Sequence, residues 1–156
     1  MEVCLGMRAT ALVLSNNILY RARKEKVPVT PMKLQKLLYY VCVKYMKDTK
    51  EYPLSEPFEV WQYGPVIPSV YSEFKPYGAS EIENFARNAK GKAKMIDEDE
   101  YPELHGALEY VWHTMKGFSG TALSERTHQK GSGWYAAFQR SDEVIKEEDI
   151  LNDATL

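Results

Sequence analysis

From Thr30-Pro31 onward the chain writes a helix with almost no outside, and a helix of that kind belongs at the centre of a fold. Thr30 suits the N-cap, where a side-chain oxygen takes a backbone N–H of the first turn. Pro31 suits the first helical position, where its missing N–H costs nothing. Beyond them Leu34, Leu37, Leu38, Val41 and Tyr45 fall on one stripe, and Met32, Tyr39, Val43 and Met46 on another. Two apolar sides demand packing on two sides. The arc carrying Lys33, Lys36, Tyr40, Lys44 and Lys47 is what remains for water, so a central buried helix over about 30–47 is the expected spine.

The rest of the chain reads as shorter elements set apart by Pro and Gly. Met7, Ala11, Leu14 and Ile18 share a helical face, which predicts a first helix over about 7–24. Residues 58–61 alternate as a short strand would, ended by a turn at Tyr63-Gly64-Pro65. Pro68 opens a helix to about residue 74, which Pro76 and Gly78 stop. Residues 88–96, with Gly91 inside them, read as a loop or a second hairpin. The acidic run at 97–100 precedes Pro102 and places negative charge where a helix macrodipole favours it. That helix, about 102–116, carries Leu104, Leu108, Val111 and Met115 on one face and ends at Gly117 and Gly120. A short helix at 121–127, a Gly-Ser-Gly link to Trp134-Tyr135 and an acidic turn or helix at 147–153 complete the chain. The expected fold is mainly α: one compact multi-helix domain over 1–156, built around the helix at 30–47, with a short strand or hairpin near 58–61 and 88–96.

Composition removes several classes. With 44% hydrophobic and 27% charged residues the chain is neither a disordered tail nor a low-complexity array. Cys4 and Cys42 allow at most one bridge and read as reduced, buried thiols. The apolar run Ala11-Leu12-Val13-Leu14 is far shorter than the roughly 20 residues that span a bilayer, and no signal-peptide pattern surrounds it. A cytoplasmic protein with no membrane contact is the expectation. The net charge of −2 hides an uneven spread, because residues 1–50 carry ten Lys and Arg against three Asp and Glu, whereas 97–156 carry five against thirteen. The two ends either compensate each other inside the fold or steer a charged partner.

Catalytic equipment is sparse. His105 and His113 lie eight residues apart on one helix, too far along its axis to share a metal, and no metal site is expected. No Cys-x-x-Cys, His-Glu-x-x-His, phosphate-cradling Gly loop or Gly-x-Ser-x-Gly elbow is present. Ser124 and His128, at i and i+4, are the one pair on which a hydrolase could be built. The plainer expectation is that His128 bonds a carbonyl freed in the last turn of its helix. No cofactor is implied.

Eleven Tyr and three Trp are the richer signal. Trp61, Tyr63, Tyr71, Trp134 and Tyr135 sit in or beside turns, where a ring can be buried while its polar edge stays wet, as at interfaces and in small cores alike. The basic arc with Tyr40 would also suit a nucleic-acid backbone, but a Lys stripe opposite an apolar face is ordinary in an amphipathic helix, and no base-reading motif accompanies it. Nucleic acid is not an expected partner. The candidate partner-binding residues are Lys33, Lys36, Tyr40, Trp61, Tyr63, Tyr71, His128 and Trp134.

Three segments in combination carry a resemblance: Thr30-Pro31-Met32-Lys33-Leu34-Gln35-Lys36-Leu37-Leu38-Tyr39-Tyr40; Glu59-Val60-Trp61-Gln62-Tyr63-Gly64-Pro65-Val66-Ile67-Pro68-Ser69-Val70-Tyr71; and Leu123-Ser124-Glu125-Arg126-Thr127-His128 with Gly133-Trp134-Tyr135. In this order and spacing they resemble the Panacea domain, the SocA-like antitoxin family that includes phage-associated proteins, over about residues 5–150. Val60 stands where that pattern would carry Ala. The resemblance implies a mostly helical domain that is not an enzyme, encoded beside a toxin and neutralising it by direct protein contact. It also implies, for one branch, an adaptor that delivers the toxin to an ATP-dependent protease. It brings no catalytic residues and leaves the oligomeric state open. A phage protein that binds a host protein without any toxin fits the same surfaces.

Overall fold

The computed structural model describes residues 8–156. The first helix, α1 (Ala11–Glu25), starts four residues after the expected position. Thr10 is its N-cap, accepting a hydrogen bond from the Val13 N–H, and Ala9 before it is extended, donating to Pro53 O and accepting from Ser55 N. Those bonds satisfy the backbone that a longer helix would have used. Met7 and Cys4 lie outside the described residues.

α2 (Pro31–Thr49) is the spine, capped by Thr30 as expected, and thirteen of its nineteen residues are buried. The expectation of a water-facing arc is corrected: Lys33, Lys36 and Tyr40 are 6%, 1% and 0% exposed. The later helices and the C-terminal tail close over that side. The Lys33 amine donates to Lys116 O at the end of α4 (Pro102–Met115), a place the helix dipole favours for a cation. The Tyr40 hydroxyl meets Thr155 Oγ1 at 2.8 Å. Lys44 and Lys47, further along, are half-buried. Cys42 is buried, and burial pushes its thiol pKa well up.

The strand near 58–61 exists as β1 (Glu59–Trp61), but the expected terminating Gly64-Pro65 is itself part of β2 (Gly64–Val66). The two pair antiparallel with Val60 opposite Pro65 and Trp61 opposite Gly64. Gly64 holds φ at +115°, which the other residue types rarely adopt. α3 (Pro68–Phe74) has the expected limits and runs into a 3-10 turn. No strand forms at 88–96. There the Asn88 side chain accepts from the N–H groups of Lys90 and Lys92, and this local turn replaces a ladder.

The long connection from α3 to α4 is pinned to α1 by two buried asparagines. Asn16 exchanges bonds in both directions with the Ala86 backbone, and Asn17 does the same with Ile96. Glu98 of the acidic run turns inward rather than capping α4, and with Glu109 it holds Arg21. α5 (Gly120–Thr127) is followed, after the Gly-Ser-Gly link, by a helix the sequence pattern does not predict, α6 (Gly133–Gln139); Ser132 caps it through the Tyr135 N–H. α7 (Glu147–Leu151) leads into a tail that buries Asp153 and Thr155 and leaves Asn152 and Ala154 exposed. Asp153, fully buried, accepts from the Tyr39 hydroxyl, the Gly133 N–H and the Thr155 backbone and hydroxyl.

Candidate partner-binding site

The β1–β2 hairpin lies across the first half of α2, and its carbonyl groups are gripped one after another by side chains from three helices. Trp134 Nε1 of α6 donates to Trp61 O at 2.8 Å. His128, after α5, faces Gln62 O through Nε2 at 2.7 Å. The Ser124 hydroxyl of α5 donates to Tyr63 O at 2.7 Å, and Lys36 Nζ of α2 donates to Pro65 O at 3.1 Å. The Gln35 amide then closes the series, accepting from Ile67 N and donating to Ile67 O. A strand pair of three residues each is too short to be stable by itself, and these donors fix it. They belong to the three segments singled out in the sequence, so the fold gathers those segments at one place.

This grip decides the chemistry of Ser124 and His128. The serine hydroxyl is directed at Tyr63 O, and His128 Nδ1 faces Ser124 O, the carbonyl rather than the hydroxyl, at 2.6 Å. The expectation that His128 bonds a carbonyl of its own helix holds. A base poised on a nucleophile is not what this pair forms. Among the described residues no group of His, Cys, Asp and Glu is arranged to hold a metal ion; His105 pairs with Glu98 and His113 with Glu109.

Holding the hairpin this way presents its aromatic rings outward. Trp61 and Tyr71 pack ring to ring at 5.0 Å, and the Trp61 indole N–H donates to Glu59 at 2.8 Å. Tyr63 is 59% and Tyr71 40% exposed. Between hairpin and α3 lies a groove of about 390 Å³, walled by Trp61, Tyr63, Val66, Val70 and Tyr71, with Pro31 and Met32 on the α2 side. Gln35 and Lys36 form its floor. A second cleft continues past Met32 and Tyr63 to Thr121, Ser124, Glu125 and His128. Behind it Trp134 stacks on Phe138, whose ring is 55% exposed.

Of the sequence-derived candidates, Lys36, Trp61, Tyr63 and Tyr71 come together at the groove and His128 at the adjoining cleft. Trp134 supports the hairpin from behind. Lys33 and Tyr40 lie elsewhere, buried against α4 and the C-terminal tail. Burial pulls the Lys36 amine down to about 7 and lowers Lys33. Sequence reading missed Gln35, Met32 and Phe138. The spacing of Trp134 and Phe138, four residues, was the available signal for the last.

Among the described residues no helix is long and apolar enough to cross a membrane. A family model described as Antitoxin SocA-like, Panacea domain, matches residues 34–135. The chain is 29% identical over 127 residues to a protein named Antitoxin SocA from Caulobacter vibrioides, covering 80% of this chain and 68% of that one. No solved structure matches.

Proposed function

Since the chain belongs to the SocA-like antitoxin, Panacea-domain family, we propose that it neutralises a protein toxin encoded beside it by direct contact, using the aromatic groove and its rim. The observation that carries this reading is the pair of exposed rings Tyr63 and Tyr71 beside the half-buried Trp61, on a hairpin braced by side chains of α2, α5 and α6 and on the neighbouring α3. Rings held rigidly at a surface lose little entropy on binding and are the residues that dominate interface energetics. A specific contact needs about 800 Å² per partner, so the partner would cover the groove, the adjoining cleft and surface beyond them.

Binding rather than bond-making fits the engagement of Ser124 and His128 with backbone carbonyls. Steering by charge rests on the strongly acidic last third of the chain rather than on the basic part of α2, where Lys33 and Lys36 are buried and Lys44 and Lys47 half-buried. Handing the bound toxin to an ATP-dependent protease is the further step the family suggests, and nucleic acid has no part in the scheme. The test is growth. Induction of the adjacent gene alone should arrest cells, and co-expression of this chain should restore them. A harmless neighbour, or one that remains toxic while this chain accumulates, overturns the proposal. A toxin level that drops only in cells with an intact protease supports the delivery step.

A further inference from the structure

Lys36 is the least comfortable residue at the groove. Its side chain is 1% exposed, and its one recorded bond is to a neutral carbonyl, Pro65 O, at 3.1 Å. No carboxylate among the described residues pairs with it. Desolvating an ammonium costs far more than one such bond returns, whereas an ion pair inside a low-dielectric site offsets much of that cost. Two acids of the neighbouring elements are placed otherwise: Glu59 accepts from the Trp61 indole, and Glu125 lines the adjoining cleft. Glu73, the acid of α3, is exposed to solvent and makes no ion pair with Lys36, and Tyr63, Tyr71, Lys33 and Tyr40 on the same elements supply no negative charge near neutral pH.

Lys36 is part of the lining of this groove, whose apolar walls are Trp61 and Val66 of the hairpin and Val70 and Tyr71 of α3. That is the shape for a side chain with a hydrocarbon stem and an anionic tip. We propose, resting on the binding reading above, that the protein partner inserts a glutamate, flanked by apolar residues, into this groove so that its carboxylate meets Lys36 Nζ. The stem lies along the aromatic and valine walls, the carboxylate compensates the buried cation, and the flanking residues cover Tyr63 and Met32. Glutamate is preferred to aspartate because Lys36 is almost fully buried and a longer stem reaches further in. Specificity follows from the same geometry, since a glutamine of identical shape leaves the cation uncompensated.

Two blocked peptides test this on the intact chain: acetyl-leucyl-glutamyl-leucinamide and its glutaminyl counterpart, each titrated at millimolar concentration while the Trp61 indole N–H is followed by NMR. At pH 6 the glutamyl peptide should bind about tenfold tighter than the glutaminyl one, the scale of one charge-assisted hydrogen bond. The preference should fall as pH rises above about 7, where the amine deprotonates, and should vanish in Lys36→Met. Equal binding of the two peptides, binding of neither, or an undiminished preference in Lys36→Met overturns the inference. The wild-type comparison needs no variant to fold. A toxin neutralised in cells while the two peptides bind alike sinks this proposal alone, whereas failure of wild-type neutralisation sinks the antitoxin reading itself.

Discussion

Replacing Lys36 by methionine should change how stability depends on pH, and the structure sets the size of the change. The buried amine titrates at about 7, against an ordinary lysine value of 10.5. Between those two values the unfolded chain binds a proton that the folded chain does not, so stability rises with pH across the window. Below about 7 the full penalty of burying the charge applies, roughly 5 kcal/mol for a shift of this order, and above 10.5 it is gone. From pH 7 to pH 9 the wild type should gain about 2 kcal/mol relative to Lys36→Met, which lacks the titrating group. In a domain of this size that corresponds to about 4–8 °C in melting temperature. Thermal unfolding followed by circular dichroism at pH 7, 8 and 9, for both proteins in matched buffers, reads the double difference and cancels the other titrating groups. Loss of the bond to Pro65 O shifts the variant by a constant and leaves the slope untouched. Parallel melting curves across this range would refute the placement of a buried, unpaired amine beneath the hairpin.

Gly64→Ala forces a side chain into φ +115° and sets its Cβ 2.6 Å from Thr127 Oγ1 and 3.0 Å from Lys36 Cε, so the urea midpoint should fall by the equivalent of about 2–5 kcal/mol. Asp153→Ala strands the Tyr39 hydroxyl and the Gly133 N–H in the core, and a loss of about 3 kcal/mol or more is expected from the same measurement. For Glu98, burial acts to raise the carboxyl, but hydrogen bonds from Arg21, Asn17 and His105 together with the Arg21 charge hold it below the ordinary 4.5. Its stabilising share is therefore present above that value and lost as pH falls through the lowered one. Arg21→Met should accordingly cost about 3–5 kcal/mol near pH 7, with the gap to wild type closing as the pH falls below 4.5 and Glu98 protonates.

The position of α2 at the centre was legible because two apolar stripes leave a helix no exposed side of any width. The third side was misread because a lysine stem is apolar for most of its length, and a helical projection carries no information about what caps the amine. Lys33 finds its carbonyl 83 residues away, and Tyr40 meets Thr155 across 115. The same distance in sequence hid the bracing of the hairpin. Ser124 and His128 stood out as a pair, but the carbonyls they hold lie 61 and 66 residues earlier. Trp61, Tyr63 and Tyr71 were legible as a group because a hairpin and one helical turn keep neighbours in sequence near each other in space. α6 was missed although Ser132 is a good cap, since Gly131 and Gly133 around it weigh against a helix. Of the two readings of 88–96, loop or hairpin, the loop holds, through an asparagine turn, a choice made by one side chain that periodicity does not register.

The account stands on capture of a protein partner by the braced aromatic face. Titration calorimetry between this chain and the purified product of its adjacent gene measures that capture directly, with Tyr63→Ala/Tyr71→Ala as the comparison, because both residues are exposed and the double variant, which loses the Trp61–Tyr71 ring contact, should still be fully folded at about 25 °C by circular dichroism. A saturable complex that the double substitution weakens at least about tenfold is the predicted result. No heat of binding at micromolar concentrations, or an affinity that the double substitution leaves unchanged, contradicts it.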